Sequence, residues 1–217
     1  METQPYWSGI ADGSLHALTA TPAAALSWAW ERFDDRCCVL ASMQDAAVIE
    51  LAMTVDRRFP IVFLDTGYHF DETWQTLRAV ERRYGIDVEV VGPLRPADPD
   101  VQPGRCCDDK PALLEMALAG REAWVSGVRR HQTERRSQAD LVETDGRGRT
   151  KINPVVQWSD ADHQAFVAAA HVIRNPLVER GYFSIGCEPC TSAPISDDDP
   201  RSGRWAGSNR TECGLHL

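Results

Sequence analysis

The sequence predicts an α/β fold, a parallel sheet with helices on both of its faces. Three observations predict it. Strand-like and helix-like stretches alternate as βαβαβ over residues 37–91. The strand-like runs CCVLA (37–41) and IVFLDTG (61–67) open on continuous apolar residues rather than an alternation, as strands covered on both faces do. The stretches between them place apolar residues at helical spacing and stop at turn residues.

The elements follow in order. PAAALSWAWERF (22–33) reads as a helix, with Thr21 as N-cap and Pro22 at the first helical position, where a missing N–H is no loss. CCVLA is a buried strand, and QDAAVIELAMTV (44–55) has helical spacing. IVFLDTG is the second strand, ending in turn residues. DETWQTLRAVERRYG (71–85) is an amphipathic helix that Gly85 stops, and IDVEVV (86–91) is the third strand. GPLRPADPDVQPGR (92–105) is a long loop, a kind more often functional or mobile than merely connecting. KPALLEMALAG (110–120) is a helix ending at Gly120, and AWVSGVRR (123–130) is a strand running into a basic turn. Residues 131–151 are polar and charged, which predicts a surface segment with a hairpin around Asp145-Gly146. SDADHQAFVAAAHV (159–172) is a helix capped by Ser159. From Asn175 onward the chain is turn-rich and ends in a polar tail.

The 217 residues fit one domain, and 43% hydrophobic with 25% charged residues is the balance of a globular protein. No apolar run is long enough for a membrane-spanning helix, so no membrane partner is expected. The N-terminus lacks a basic stretch followed by an apolar one, so no secretory signal is expected and a cytoplasmic location follows. A net charge of -9 argues against nucleic-acid binding through phosphates, while leaving room for one small anion in a local basic pocket. Seven cysteines, an odd number, argue against a disulfide framework and for metal or redox chemistry.

Those cysteines sort by spacing. RCCDDK (105–110) and GCEPC (186–190) each offer two thiolates, Cys106 with Cys107 and Cys187 with Cys190. Four converging thiolates hold a tetrahedral zinc or a [4Fe–4S] cluster. Adjacent cysteines suit the cluster better, because neighbouring side chains diverge toward different irons. The plainer alternative is a buried apolar pair with a redox dithiol. Cys37 and Cys38 stand inside an apolar strand and read as small buried hydrophobes. Ser42 and Gln44 follow the first strand at a helix start, where free N–H groups meet an anion; an ordinary strand-to-helix turn is the alternative. Asp65, Thr66 and Gly67 end the next strand, either lining the same crevice or forming a polar turn. Lys110, Arg129 with Arg130, and Arg201 with Arg204 are the basic candidates. Arginine suits phosphate and sulfate, and solvated surface charge is the alternative. Cys213 lies alone in TECGLHL (211–217), where a thiol is either incidental or there to react.

In order along residues 37–217, LDTGYHF (64–70), CC (106–107), GVRR (127–130), NPLVERGYFSIGCEPCT (175–191), DPRSGRW (199–205) and ECGLH (212–216) resemble the assimilatory sulfonucleotide reductases. The likeness is close to their adenylylsulfate (APS) reductase branch, which carries an iron–sulfur cluster. The resemblance implies a PP-loop-type, adenine-nucleotide α-hydrolase-like α/β single domain over 1–217, with a mobile C-terminal tail from about 192 to 217. It puts Ser42 to Asp45 at the loop facing the phosphosulfate and Asp65, Thr66 and Gly67 along the adenosine. It makes Cys106, Cys107, Cys187 and Cys190 the ligands of a [4Fe–4S] cluster. Lys110 matches, after a one-residue gap, a lysine between cluster and substrate, although Asp108 and Asp109 replace the family's usual basic run here. Arg129 or Arg130, with Arg201 and Arg204, match substrate-binding arginines. Cys213 matches the nucleophile, and His216 accompanies it.

The implied chemistry is coherent. Reducing a sulfate ester needs an acceptor for the sulfonyl group, and a thiolate is the strongest nucleophile a side chain offers. Arginines would lower its pKa and neutralise the leaving AMP. A mobile tail lets the nucleophile reach the substrate and then meet thioredoxin, the implied reductant. The competing expectations are a reductase of the 3′-phosphorylated substrate (PAPS) or of both nucleotides, an ATP-pyrophosphatase, disfavoured by the glycine-free loop, and a zinc-stabilised interaction module.

Overall fold

Thr21 and Pro22 start the first helix as their chemistry requires. Thr21 Oγ1 accepts the Ala24 N–H at 3.1 Å, and helix α1 runs Pro22–Phe33. The structure, a computed structural model, describes residues 21–194, 201–205, 212 and 215. Strands β1 (Cys37–Ala41), β2 (Ile61–Leu64) and β3 (Glu89–Val91) alternate with helices α2 (Ala47–Val55) and α3 (Asp71–Tyr84). Helix α4 (Lys110–Ala117), strand β4 (Ala123–Val125), strands β5 (Val142–Thr144) and β6 (Thr150–Ile152) and helix α5 (Asp160–Ala169) complete the α-helices and strands among the described residues.

One six-stranded sheet has the order β3-β2-β1-β4-β6-β5. β1 with β4, β2 with β3, and β4 with β6 pair in parallel, whereas β5 runs antiparallel to β6. The sheet is therefore mostly parallel, with one reversed edge strand. That edge corrects the surface reading of 131–151. Its hairpin forms around Asp145, whose Oδ1 accepts the Arg147 and Arg149 N–H groups at 2.9 Å, but β6 is buried throughout. Lys151 tolerates burial because its Nζ meets Glu143 at 2.5 Å and lies over the Trp124 ring at 5.3 Å.

Several elements are shorter than their patterns. Helix α2 begins at Ala47 rather than Gln44, because residues 44–46 pair their backbone with 173–175 instead. β3 begins at Glu89 because the Val88 N–H is taken by the Glu81 carboxylate at 3.1 Å and the Ile86 N–H by the Glu81 carbonyl at 3.3 Å. Gly85 ends α3 at φ 63, the left-handed cap its position predicts. Helix α5 ends at Ala169, and His171 turns left-handed at φ 48.

The chain divides into two compact units. The first takes the described residues up to Leu40, then Ala47–Ile61 and Gly120–Val172. Its core includes Leu26, Ile49, Trp124 and Ile152, all nearly sealed from solvent. The second takes Ala41–Ala46, Val62–Ala119 and the described residues from Ile173 on. Phe63, Leu113 and Leu114 are buried in it, and a separate buried cluster gathers Cys106, Cys107, Cys187, Cys190 and Trp205.

Candidate active site and thiol cluster

The four cysteines come from two short turns of the second unit. Cys106 and Cys107 lie in the 3-10 turn Arg105–Cys107, which Gly104 enters at φ 93. Cys187 precedes, and Cys190 closes, the 3-10 turn Glu188–Cys190. Backbone bonds fix that turn: the Glu188 N–H donates to the Tyr68 carbonyl at 2.7 Å, and the Trp205 N–H to the Cys190 carbonyl at 2.9 Å. The sulfurs converge. Cys106 Sγ is 2.7 Å from Cys190 Sγ and 3.9 Å from Cys107 Sγ, and the sulfurs of Cys106, Cys107 and Cys187 lie within 4.8 Å of one another. All four are buried free thiols. The Gly104 N–H donates to Cys190 Sγ at 3.0 Å, and Thr66 Oγ1 shares a hydrogen bond with Cys187 Sγ at 3.2 Å.

Such crowding decides where protons sit. Hydrogen bonds from Cys106 and then Cys187 draw the Cys107 thiol down to about 6, with the charge of Lys110 adding to them. Those from Cys106 and Cys107 draw Cys190 down to about 3. Cys106, which donates, is pushed up. In contrast, burial, with the neighbouring Cys38 adding to it, pushes Cys37 up in its apolar strand, the inert reading its sequence suggests. Four gathered thiols, of which Cys107 and Cys190 are drawn toward the thiolate, fit a metal centre and could hold one. The buried Trp205 Nε1 packs into the same cluster and lacks a hydrogen-bond partner among the described residues, as does His69 Nδ1. A buried N–H is ordinarily paired, and a sulfur acceptor inserted here would serve Trp205.

Arg201 and Arg204 stand beside this cluster. Arg204 Cζ is 4.4 Å and Arg201 Cζ 5.6 Å from the centre of the Trp205 ring, a cation–π arrangement on a buried indole. Both guanidinium groups donate to Ser184 Oγ, at 3.2 Å and 3.3 Å. Arg201 Nη2 also lies 3.9 Å from the carboxylate of Glu212, which is buried. Leu215 packs against the cysteine cluster. Cys213 and His216, between and beyond these anchors in sequence, lie outside the described residues.

Asp65 and Thr66 are buried at the end of β2, and Asp65 Oδ1 accepts the Gly67 N–H at 2.7 Å. Their close turn depends on Gly92, at φ 111, because a Cβ there would overlap the Asp65 carbonyl. Lys110 opens α4 and is buried. Ser42 is exposed in the β1–α2 loop, whereas the Gln44 amide is bonded at both ends to the 183–185 backbone.

Arg129 and Arg130 belong to the first unit, where both are engaged. Arg129 Nη1 donates to Asp160 at 2.7 Å, and His131 Nε2 meets the same carboxylate at 3.1 Å. Arg130 Nε donates to the Ala139 carbonyl at 2.7 Å and its Nη2 to Asp140 at 3.2 Å. Partial burial works against the Asp160 charge, but the His131 hydrogen bond and the Arg129 charge outweigh it and hold this carboxyl below the usual range. Sequence reasoning missed Trp205, Ser184 and Gly186. A signal was present for Trp205, which follows Arg204 directly, and for Gly186, which directly precedes Cys187.

Fold and site together define an α/β protein with a buried thiol centre beside a stacked arginine pair. The family model described as the phosphoadenosine phosphosulfate reductase domain matches residues 36–193. The adenosine 5′-phosphosulfate reductase of Mycolicibacterium smegmatis is 43% identical, with 94% of this chain and 92% of that protein covered. The protein of the same name from Streptomyces coelicolor is also 43% identical, over 91% and 89%. Among solved structures, the phosphoadenylyl-sulfate reductase of Candida auris shares the fold at a TM-score of 0.60, with 20% identity, covering 82% of this chain and 96% of that one. FMN adenylyltransferase of Candida glabrata shares it at 0.62 with 14% identity, covering 84% and 66%. The chain belongs to the phosphoadenosine phosphosulfate reductase family, on the PP-loop-type fold that the motifs implied.

Proposed function

We propose that this chain reduces adenylylsulfate to sulfite and AMP in the cytoplasm, with thioredoxin as reductant. The observation that carries the reading is a buried four-cysteine centre, beside an arginine pair, in a chain 43% identical over nearly its whole length to proteins named adenosine 5′-phosphosulfate reductase. Cys106, Cys107, Cys187 and Cys190 would hold a [4Fe–4S] cluster, and four thiolates match its ligand requirement. When bound, that group would supply a fixed charge and sulfur acceptors beside the substrate anion.

The residues take the following roles. Asp65, Thr66 and Gly67 line the adenosine, and Ser42 faces the phosphosulfate from the β1–α2 loop. Arg201 and Arg204, with Lys110, bind its anionic groups, as does Arg129 or Arg130; His216 assists from the tail. The cations lower the pKa of Cys213 and stabilise charge on the departing phosphate. The Cys213 thiolate attacks the sulfate sulfur; an S–S bond forms, the S–O bond to phosphate breaks, and AMP leaves with that electron pair. A thioredoxin thiolate then attacks Cys213 Sγ, expelling sulfite, and its second thiol resolves the mixed disulfide. Thioredoxin is oxidised by two electrons and the sulfonyl sulfur is reduced to sulfite.

Anaerobic turnover with thioredoxin, comparing APS with PAPS, tests the proposal. A higher kcat/KM for APS is expected. Equal preference would make it a reductase of both nucleotides, reversed preference a PAPS reductase, and no turnover of either would remove the reductase reading.

A further inference from the structure

Gln44 stands in a loop without glycine, yet the loop contains a left-handed residue. Met43 has φ 58 while fully buried, a state a bulky residue keeps only when its surroundings enforce it. Those surroundings are specific. The Ala46 N–H donates to the Ile173 carbonyl at 2.9 Å, and the Asn175 N–H to the Gln44 carbonyl at 2.9 Å. Asn175 Nδ2 donates to the Met43 carbonyl at 3.2 Å. The main chain on both sides of Gln44 is thereby tied, and its side chain starts from a fixed point.

That side chain reaches one tripeptide. Gln44 Nε2 donates to the Phe183 carbonyl at 3.3 Å, and Gln44 Oε1 accepts the Ile185 N–H at 3.0 Å. The residue between them is Ser184, only 6% exposed. Its hydroxyl oxygen has two lone pairs, and the two guanidinium groups of Arg201 and Arg204 fill them. Gly186 completes the arrangement, because a Cβ there would overlap the Arg204 guanidinium. Two like charges drawn to one oxygen above one indole repel each other, and the one carboxylate the described residues show beside them, Glu212, lies 3.9 Å from Arg201, so the spacing of the pair depends on how Ser184 Oγ is held.

We infer that Gln44 and Ser184 are positioning residues for the Arg201–Arg204 pair. The Gln44 amide clamps the 183–185 backbone, the clamp aims Ser184 Oγ, and that oxygen sets the spacing of the two cations before any anion arrives. Gln44 therefore acts through the arginines instead of donating to the ligand, and its substitution removes preorganisation rather than a contact. The ligand-binding test of this relay rests on the proposed substrate; the relay itself does not.

Two measurements on the full chain test it. The first maps phenylglyoxal modification of individual arginines by mass spectrometry, with exposed Arg95 as internal control. Ser184→Ala removes a single hydroxyl and Gln44→Met keeps the length of the side chain without its amide. In both variants Arg201 and Arg204 are expected to react several-fold faster than in wild type, with Arg95 unchanged. Unchanged rates at Arg201 and Arg204 in Ser184→Ala would overturn the relay. The second is a double-mutant cycle on adenylylsulfate affinity. Each single substitution is expected to weaken binding about tenfold, and the double substitution by little more than either alone, because both cut one chain of contacts. Losses that multiply to about a hundredfold would mean that Gln44 touches the ligand itself, and would overturn its positioning role. Labelling needs no ligand, so it decides the relay even where wild type fails to bind adenylylsulfate, a failure that would count against the functional reading alone.

Discussion

Arg204 has a buried guanidinium edge without a hydrogen-bond partner at Nε among the described residues, while its face lies on Trp205. A cation so placed has a buried donor left to offer, which suits the anion-binding role proposed for it. Charge-assisted contacts of this kind are each worth about 1.5–3 kcal/mol, so Arg204→Ala should lower kcat/KM for the nucleotide at least tenfold. Steady-state kinetics beside a visible spectrum checks this, and the thiol-centre absorption should survive. Asp160 gives a residue-scale consequence of the opposite kind. Its pKa is held below the unfolded value of about 3.9, so its stabilising contribution is complete above that value and is lost as pH falls through the folded one. Asp160→Asn should destabilise the protein at neutral pH, and the difference from wild type should shrink below about pH 4 in urea titrations. What the sequence made legible at this scale was chemistry with a spacing: CC, CxxC and paired arginines. Ser184 was not legible, because nothing in a serine announces two guanidinium partners far along the chain.

Element boundaries follow from who takes each backbone N–H. The helical pattern of residues 44–55 is real, but its first turn is surrendered to pairing with 173–175, a competition no local pattern records. β3 is cut short by one glutamate side chain for the same reason. The buried β6 was hidden by its own polar residues, since Thr150 and Lys151 both lie inside and Lys151 is received there by Glu143 and Trp124. By contrast, both α1 boundaries and the Gly85 stop were legible, being set by local caps. Gly92 offers the sharpest element-scale test. Alanine there combines a forbidden φ with a collision against the Asp65 carbonyl and a 2.8 Å approach to Leu113 Cδ2. Gly92→Ala should cost about 1–3 kcal/mol more than a benign substitution. Gly120→Ala is the control, because Gly120 has φ 74 and open space around it, and should cost only the left-handed penalty of about 1–2 kcal/mol. Denaturant midpoints of the two variants compare them directly.

At the scale of the whole molecule, a thiol centre joins chain segments 84 residues apart, Cys106 to Cys190, within one unit. A metal bound there couples to folding, because its ligands are assembled only in the native state. Cys187→Ser should therefore lose visible absorption, iron and acid-labile sulfide together, and should melt at a lower temperature than wild type. Stoichiometric zinc without iron in anaerobically purified protein would favour the interaction-module alternative. The central claim is that the lone C-terminal cysteine does the chemistry that this centre and the arginines prepare. Single turnover with adenylylsulfate in the absence of thioredoxin tests it most directly, read by mass spectrometry of the C-terminal peptide and by AMP release. About one equivalent of AMP and one sulfonate on Cys213 are expected, both abolished by Cys213→Ser. The same sulfonate on Cys37, Cys38 or a cysteine of the buried centre, or turnover retained in Cys213→Ser, would contradict it.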